Sequence, residues 1–329
     1  MKALCSRFFL LARLAIFSAI LLPFGAAPLH AQSLSNTVIG LYPPEAGELA
    51  FADLRTLRQS PHYKILHDSY LPARVRDLER QALTLGIDFE AQAQQLSWAY
   101  LISPSGGIEL LSIAEGDFAP ASVLDRARNM KLAASEVAGQ TVLAMGQNDA
   151  GQAFALAFAD PGKMVYGARD QVEALLTRAA QGAPGFLQNP TLAPLLTEAN
   201  GRNTIWSVMD QRFAALEIRS IAPDVMGRPE AQTLLNNVRA AIARATLTTD
   251  LTSNATFLCT DASQAALLAA VAQAGFALYA TQEANVNPDM ASTLRAAVVQ
   301  QSGERVDLKL DLNQSQVGTL LARSLPAAR

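Results

Sequence analysis

Leu49-Ala50-Phe51-Ala52-Asp53-Leu54-Arg55 carries an apolar strand into Asp-x-Arg and a helix start, and Trp206-Ser207-Val208-Met209-Asp210-Gln211-Arg212 does the same 157 residues later. The segments behind the two stretches also correspond. The chain therefore reads as two diverged copies of one strand-and-helix module, residues 36–200 and 201–329.

In the first copy, Tyr42-Pro43-Pro44-Glu45-Ala46-Gly47 is a turn-rich lead-in to the strand Glu48 to Ala52. Asp53 ends that strand and is placed to cap the helix behind it, since a carboxylate accepts from the free amides of a first turn. Ser60-Pro61 is a second helix start, and Val75, Leu78, Ala82 and Leu85 fall on one helical stripe that Gly86 ends. Leu96 to Ile102 and Ile108 to Ala114, joined through Ser103-Pro104-Ser105-Gly106-Gly107, predict a hairpin. Gly116-Asp117 opens a helix from Pro120 to Met130. Thr141 to Met145, Phe154 to Phe158 and Met164 to Tyr166 are strands separated by turns at Asn148-Asp149-Ala150-Gly151 and Asp160-Pro161-Gly162-Lys163. A helix over Asp170 to Ala180 follows, then the break Gly182-Ala183-Pro184-Gly185 and a short helix begun by Asn189-Pro190.

In the second copy, Ile205 to Met209 is the strand and Asp210 its cap. A helix after Gly227-Arg228-Pro229 turns Leu234, Leu235, Val238 and Ile242 inward, and Thr246 to Thr252 turns at Ser253-Asn254 into Thr256 to Cys259. Thr260-Asp261 takes the place of Gly116-Asp117 and opens a helix to about Thr281 that holds no charge between Ala262 and Gln282. Its many alanines, with Ser263, Gln264, Gln273 and Gly275, favour a buried helix over a membrane element. Pro288 to Gln300 reads as a further helix, and Val306, Leu308, Leu310 and Leu312 alternate with polar residues as a half-wet strand. A closing helix repeats Gln171-Val172 and Leu175-Leu176 as Gln316-Val317 and Leu320-Leu321. Each copy thus predicts an α+β module with a largely antiparallel sheet, helices on one face and a ferredoxin-like topology.

Lys2, Arg7 and Arg13 precede an apolar run from Leu14 to Leu22, and small residues reach Ala31, the pattern of a signal peptide over residues 1–31 with a cut near Ala31. Leu29 sits poorly three residues before the cut, which leaves an uncleaved anchor as the alternative. Removing that segment leaves 23 Lys and Arg against 29 acids, a net charge of −6. Such a surface gives nucleic acid no electrostatic foothold. Cys259 alone survives the cut, so no intramolecular disulfide is expected, and its apolar neighbours mark it as a small core residue.

The residue types that carry catalysis are few. Helix capping accounts for Asp53, Asp117, Asp210 and Asp261, and Arg55 and Arg212 recur beside two of them as ion-pair partners. His62 and His67 are five apart, which does not suit a zinc pair, so no metal and no cofactor is expected. Trp98 and Tyr100 share one face of a strand and Trp206 lies in another; core packing competes there with an aromatic platform for a ligand. The candidate ligand-binding set is therefore Asp53, Arg55, Trp98, Tyr100, Trp206, Asp210 and Arg212. Arg55, Arg58, Lys64, Arg74, Arg76 and Arg80 form the densest basic stretch, diluted by acids as on a solvated helix.

The order of export signal, Pro-rich lead-in, strand ending in Asp, Ser-Pro helix and Asn-Pro helix resembles exported bacterial proteins of uncharacterised activity built from two such modules. The resemblance covers most of the chain and implies no activity or site. The leading expectation is a secreted, non-enzymatic protein of the bacterial periplasm or cell envelope, periplasmic or extracellular after the cut, that binds a partner protein or small ligand through its two modules. A hydrolase using carboxylates near Asp53 and Asp210 and a peripheral membrane protein attached through Ala262 to Tyr279 are the alternatives.

Overall fold

The computed structural model describes residues 33–70, 73–147, 151–201, 203–221 and 234–324. The expected export signal and its expected cut, the expected turn Asn148 to Ala150, the expected helix start Gly227-Arg228-Pro229 and the side chains of residues 68–78 lie outside them. The chain forms two compact units, one holding residues 32–55 and 71–193, the other residues 56–70 and 194–329.

The first unit contains β1 (Glu48–Asp53), β2 (Ala93–Ile102), β3 (Ile108–Gly116), β4 (Ala134–Val137), β5 (Gln140–Gln147), β6 (Ala153–Asp160) and β7 (Lys163–Ala168). Its strands lie in the order β1-β2-β3-β7-β6-β5-β4, each antiparallel to its neighbour. The second contains β8 (Ile205–Asp210), β9 (Val238–Leu247), β10 (Leu251–Cys259), β11 (Val298–Ser302) and β12 (Arg305–Leu312) in the order β8-β9-β10-β12-β11, again antiparallel. Matching β1, β2, β3, β7 and β6 to β8, β9, β10, β12 and β11 gives one strand order twice. The register agrees as well: the row Asp53, Gln95, Glu115, Lys163 is repeated as Asp210, Ala240, Leu258, Arg305.

The ferredoxin-like topology is not the one found. In that arrangement the two strands flanking a helix run parallel with another strand between them, whereas here β1 and β2 are hydrogen-bonded antiparallel neighbours. Val238 and Ile242 lie in a strand rather than a helix. The alanines of Val238–Leu247 favour helix as isolated residues, but β9 is paired on both sides, by β8 and β10, and most of it is buried. Such surroundings outweigh local propensity. Its turn falls at Thr248–Asp250, where the Thr248 amide donates to Asp250 O at 3.0 Å, so Ser253 and Asn254 sit within β10. The helix at Pro288 stops at Ala296, and β11 completes the correspondence with the first copy. β4 was not foreseen; the left-handed pair Ala138 and Gly139 makes the tight turn that joins it to β5.

Helices α1 (Asn36–Ile39), α2 (Leu54–Leu57), α3 (Tyr63–Tyr70), α4 (Ala73–Thr84), α5 (Phe89–Gln92) and α6 (Pro120–Asn129) connect the early strands. Further along come α7 (Arg169–Gln181), α8 (Leu196–Ala199), α9 (Gln211–Ile221), α10 (Ala262–Glu283), α11 (Pro288–Ala296) and α12 (Gln314–Ser324). Helix α7 packs on β4 to β7 through Val172, Leu175 and Leu176, and Gly182 ends it in the left-handed region at φ 65°. Asn189 acts as a staple. Its Oδ1 accepts from the amides of Thr191 and Leu192, while its Nδ2 donates to Pro44 O at 2.8 Å, tying the Asn-Pro start to the Pro-rich lead-in.

Candidate functional site

Asp53 is buried, and its Oδ1 accepts from the Arg55 amide at 3.1 Å while the Arg55 Nε lies 3.5 Å away. With its amide turned to satisfy both neighbours, Gln95 accepts from Arg55 Nη2 at 3.3 Å and donates to Glu115 Oε1 at 3.2 Å. β1, β2 and β3 thus build a chain from Asp53 through Arg55 and Gln95 to Glu115. Burial holds the Glu115 carboxyl above its ordinary range, against the pull of Lys163, and Asp160 adds to the rise. A carboxyl with a raised pKa often marks a working acid. Here the amide between Glu115 and Arg55 relays no proton, and Asp53 is committed to the helix start, so the row is an anchor at the sheet end.

Asp210 is committed in the same way. Its Oδ1 accepts from the amides of Arg212 at 2.9 Å and Phe213 at 3.0 Å. Both acids of the hydrolase reading therefore satisfy their own helix starts. Asp261 caps α10 through the Gln264 amide at 2.9 Å. Asp117 departs from this rule: it accepts from Gln94 Nε2 at 3.1 Å, and the N-cap of α6 is Ala119, which supplies no side-chain cap, Pro120 needing no partner at the first position.

His62 and His67 form no metal pair. The His62 amide donates to Ser60 Oγ at 3.3 Å, its Nε2 lies 3.1 Å from Thr249 O, and burial lowers its pKa. The His67 ring lies 6.3 Å from that of Tyr63. Among the described residues, no group of three or more His, Cys, Asp or Glu is placed to hold a metal ion. The Cys259 thiol is buried and held above its ordinary pKa by that burial, as a core residue is.

Trp98 and Tyr100 stand half-buried on the less covered face of β2, whose other face is closed by Gln95, Ser97, Ala99 and Leu101. Phe154 and Tyr166 stack at 5.6 Å on the same side of β6 and β7, and burial pushes the Tyr166 hydroxyl up to about 12. By register, Trp98 and Tyr100 correspond to Ala243 and Ala245, both buried. The first copy therefore carries aromatic bulk where the second has packed alanines. Trp206 does not join this surface, because only 1% of it is exposed and it belongs to the core of its own unit.

A charged row on the second copy escaped the sequence reading. Arg305 makes paired hydrogen bonds to Glu198, at 2.8 and 2.6 Å, and to Asp307, both at 2.7 Å. Arg244 Nη1 reaches Glu198 Oε1 at 2.9 Å, and the Thr256 hydroxyl donates to Asp307 Oδ1 at 2.6 Å. The hydrogen bonds from Arg305 hold the Glu198 carboxyl low, and those from Arg305 and Thr256 outweigh burial at Asp307 to the same end. Two guanidiniums and two carboxylates bond to one another, which clamps α8 to the sheet and leaves little charge for a ligand.

Helix α10 corrects the largest expectation. It packs on β10, β11, β12 and α11, but its buried residues are only Ala265, Ala269, Phe276, Ala280 and Glu283. Leu267, Val271 and Leu278 are 50%, 43% and 56% exposed, and only 28% of its most apolar stretch is covered. By length and composition alone it could cross a membrane. The helix is therefore held along one stripe, and its opposite side offers apolar, uncharged surface to the surroundings.

No protein-family model matches the chain, and no curated protein matches it. Among solved structures, crystal form I of TP0453 is similar over 88% of this chain and 97% of its own, at 9% identity and a TM-score of 0.47.

Proposed function

We propose that the protein is a non-enzymatic binding protein of the bacterial periplasm or cell envelope, exported with a cut near Ala31, and that the outward side of α10 is its binding surface. One observation carries the reading: a helix free of charge from Ala262 to Gln282 holds Leu267, Val271 and Leu278 in solvent. Soluble chains seldom leave apolar residues aligned in this way without a use for them. The strip is about 33 Å long at about 1.5 Å per residue and about 10 Å wide. At about 25 cal/mol per Å2, covering it yields up to about 8 kcal/mol before the costs of association. The commitment of Asp53, Asp210 and Asp261 to helix starts, and of Glu198 and Asp307 to arginines, supports binding rather than acid-base chemistry.

Fractionation of the producing cells tests this. The wild-type chain is expected with the washed envelope, and the double variant Leu267→Glu/Leu278→Glu is expected in the soluble periplasmic fraction. Equal recovery of both from the envelope would overturn the assignment of the surface.

A further inference from the structure

We infer that the occupant of the α10 face is the surface of a lipid bilayer that carries little charge. The inference rests on the reading above, that this face is the binding surface, and names what it binds.

Geometry first excludes a spanning role for the folded chain. Ala265, Ala269, Phe276, Ala280 and Glu283 are already buried on the side that packs against β10, β11, β12 and α11. Insertion across a membrane would strip that stripe from the sheet and carry Glu283 with it. A helix held on one side and apolar on the other lies along a surface instead.

Area argues against a second copy of the chain. A strip about 33 Å by about 10 Å offers roughly 330 Å2, so a symmetric pair buries roughly 700 Å2, well short of the roughly 1,200 Å2 of a stable interface. A folded protein partner faces the same shortfall. A bilayer has no such threshold, because partitioning grows with each apolar side chain immersed. Val286, 67% exposed, adds a further apolar side chain just beyond the helix.

Charge selects the kind of bilayer. Interfacial helices that seek anionic lipid carry Lys and Arg on their flanks; the helix from Ala262 to Gln282 carries none, its exposed N-cap is the acid Asp261, and the exported chain is acidic overall. Coulomb attraction to phosphate-rich headgroups is therefore missing. Ser263, Gln273 and Thr281, exposed and uncharged, suit the headgroup level.

Flotation of the exported chain with phosphatidylcholine vesicles, and with vesicles one third phosphatidylglycerol, at low and high salt, tests the inference. The chain should float with phosphatidylcholine, gain nothing from the anionic lipid and be indifferent to salt. The Leu267→Glu/Leu278→Glu variant should partition roughly tenfold more weakly, or worse, with an unchanged thermal melt; if its melt shifts, Leu267→Gln/Leu278→Gln replaces it. Failure to float, while the variant still leaves the envelope fraction, overturns the lipid and keeps the surface. Flotation only with anionic vesicles, lost in salt, overturns it too. A concentration-dependent dimer in sedimentation that the variant abolishes would assign the face to a second copy.

Discussion

Asp307 stands in the second copy where Val165 stands in the first. Each is the β3-type strand's partner on the fourth strand of its unit, Asp307 opposite Thr256 and Val165 opposite Ile113. Val165 and Ile113 are both fully buried. One position thus holds an apolar pair in the first copy and a hydroxyl with a carboxylate in the second, where Arg305, Arg244 and Glu198 balance the charge.

Breaking that balance should cost stability. Glu198→Gln leaves Arg305 and Arg244 with fewer acceptors, and since the pair is about one-third exposed a loss of about 1–2 kcal/mol is expected in urea unfolding. Glu198 and Asp307 have folded pKa values below their free values of 4.5 and 3.8, so their contribution is present above those values and disappears as pH falls through the lower folded ones. The wild-type chain should lose stability on acidification below about pH 4.5, and Glu198→Gln should lose less.

Glu115 should behave in the opposite sense. Its folded pKa lies above 4.5, so its contribution is fully present below that value and fades as pH rises through the folded one. Glu115→Gln removes a charge that burial opposes, and should stabilise the chain by roughly 0.5–1 kcal/mol at neutral pH. Thermal melts of both proteins at pH 7, with NMR titration of the Glu115 carboxyl, check both statements.

His62 adds a second pH response. A ring nitrogen facing the Thr249 carbonyl oxygen donates to it, and burial disfavours the cationic form. With a folded pKa below 6.5, stability is fully present above that value and declines as pH falls through it. Denaturant midpoints should drop as pH falls below about 6.5, and His62→Gln should flatten that slope.

Two glycines should respond to alanine with opposite signs. A Cβ at Gly185, where φ is +53°, would collide with the backbone carbonyl of Gly40, and a loss of about 2–4 kcal/mol is expected. A Cβ at Gly275 in α10 meets nothing within 4 Å, so alanine there should stabilise by about 0.5–1 kcal/mol. Calorimetry of Gly185→Ala and Gly275→Ala reads both.

Much of the scaffold is legible in the chain. The Asp-x-Arg repeat marks β1 and β8, the glycine-rich turn marks the β2–β3 hairpin, and alternation marks β12. Three features are not, each for a physical cause. The alanines of β9 carry no periodicity that separates strand from helix, and its pairing on both sides decides the matter. Gln95, Glu115 and Lys163 meet only through cross-strand register, which three separated segments do not disclose. Helix α10 is apolar all round, so its sequence holds no sign of which side is covered, and the outward Leu267 and Leu278 become visible only once Ala265 and Phe276 are seen against the sheet.

The outward side of α10 as the working surface is tested most directly by an environment-sensitive fluorophore on Val271→Cys, with Gln301→Cys on exposed β11 as reference and Cys259 buried in the folded chain. Added to washed envelope, the label at position 271 should shift to shorter wavelength while the label at 301 stays as in water. Emission at 271 that remains water-like in the presence of envelope would contradict the account.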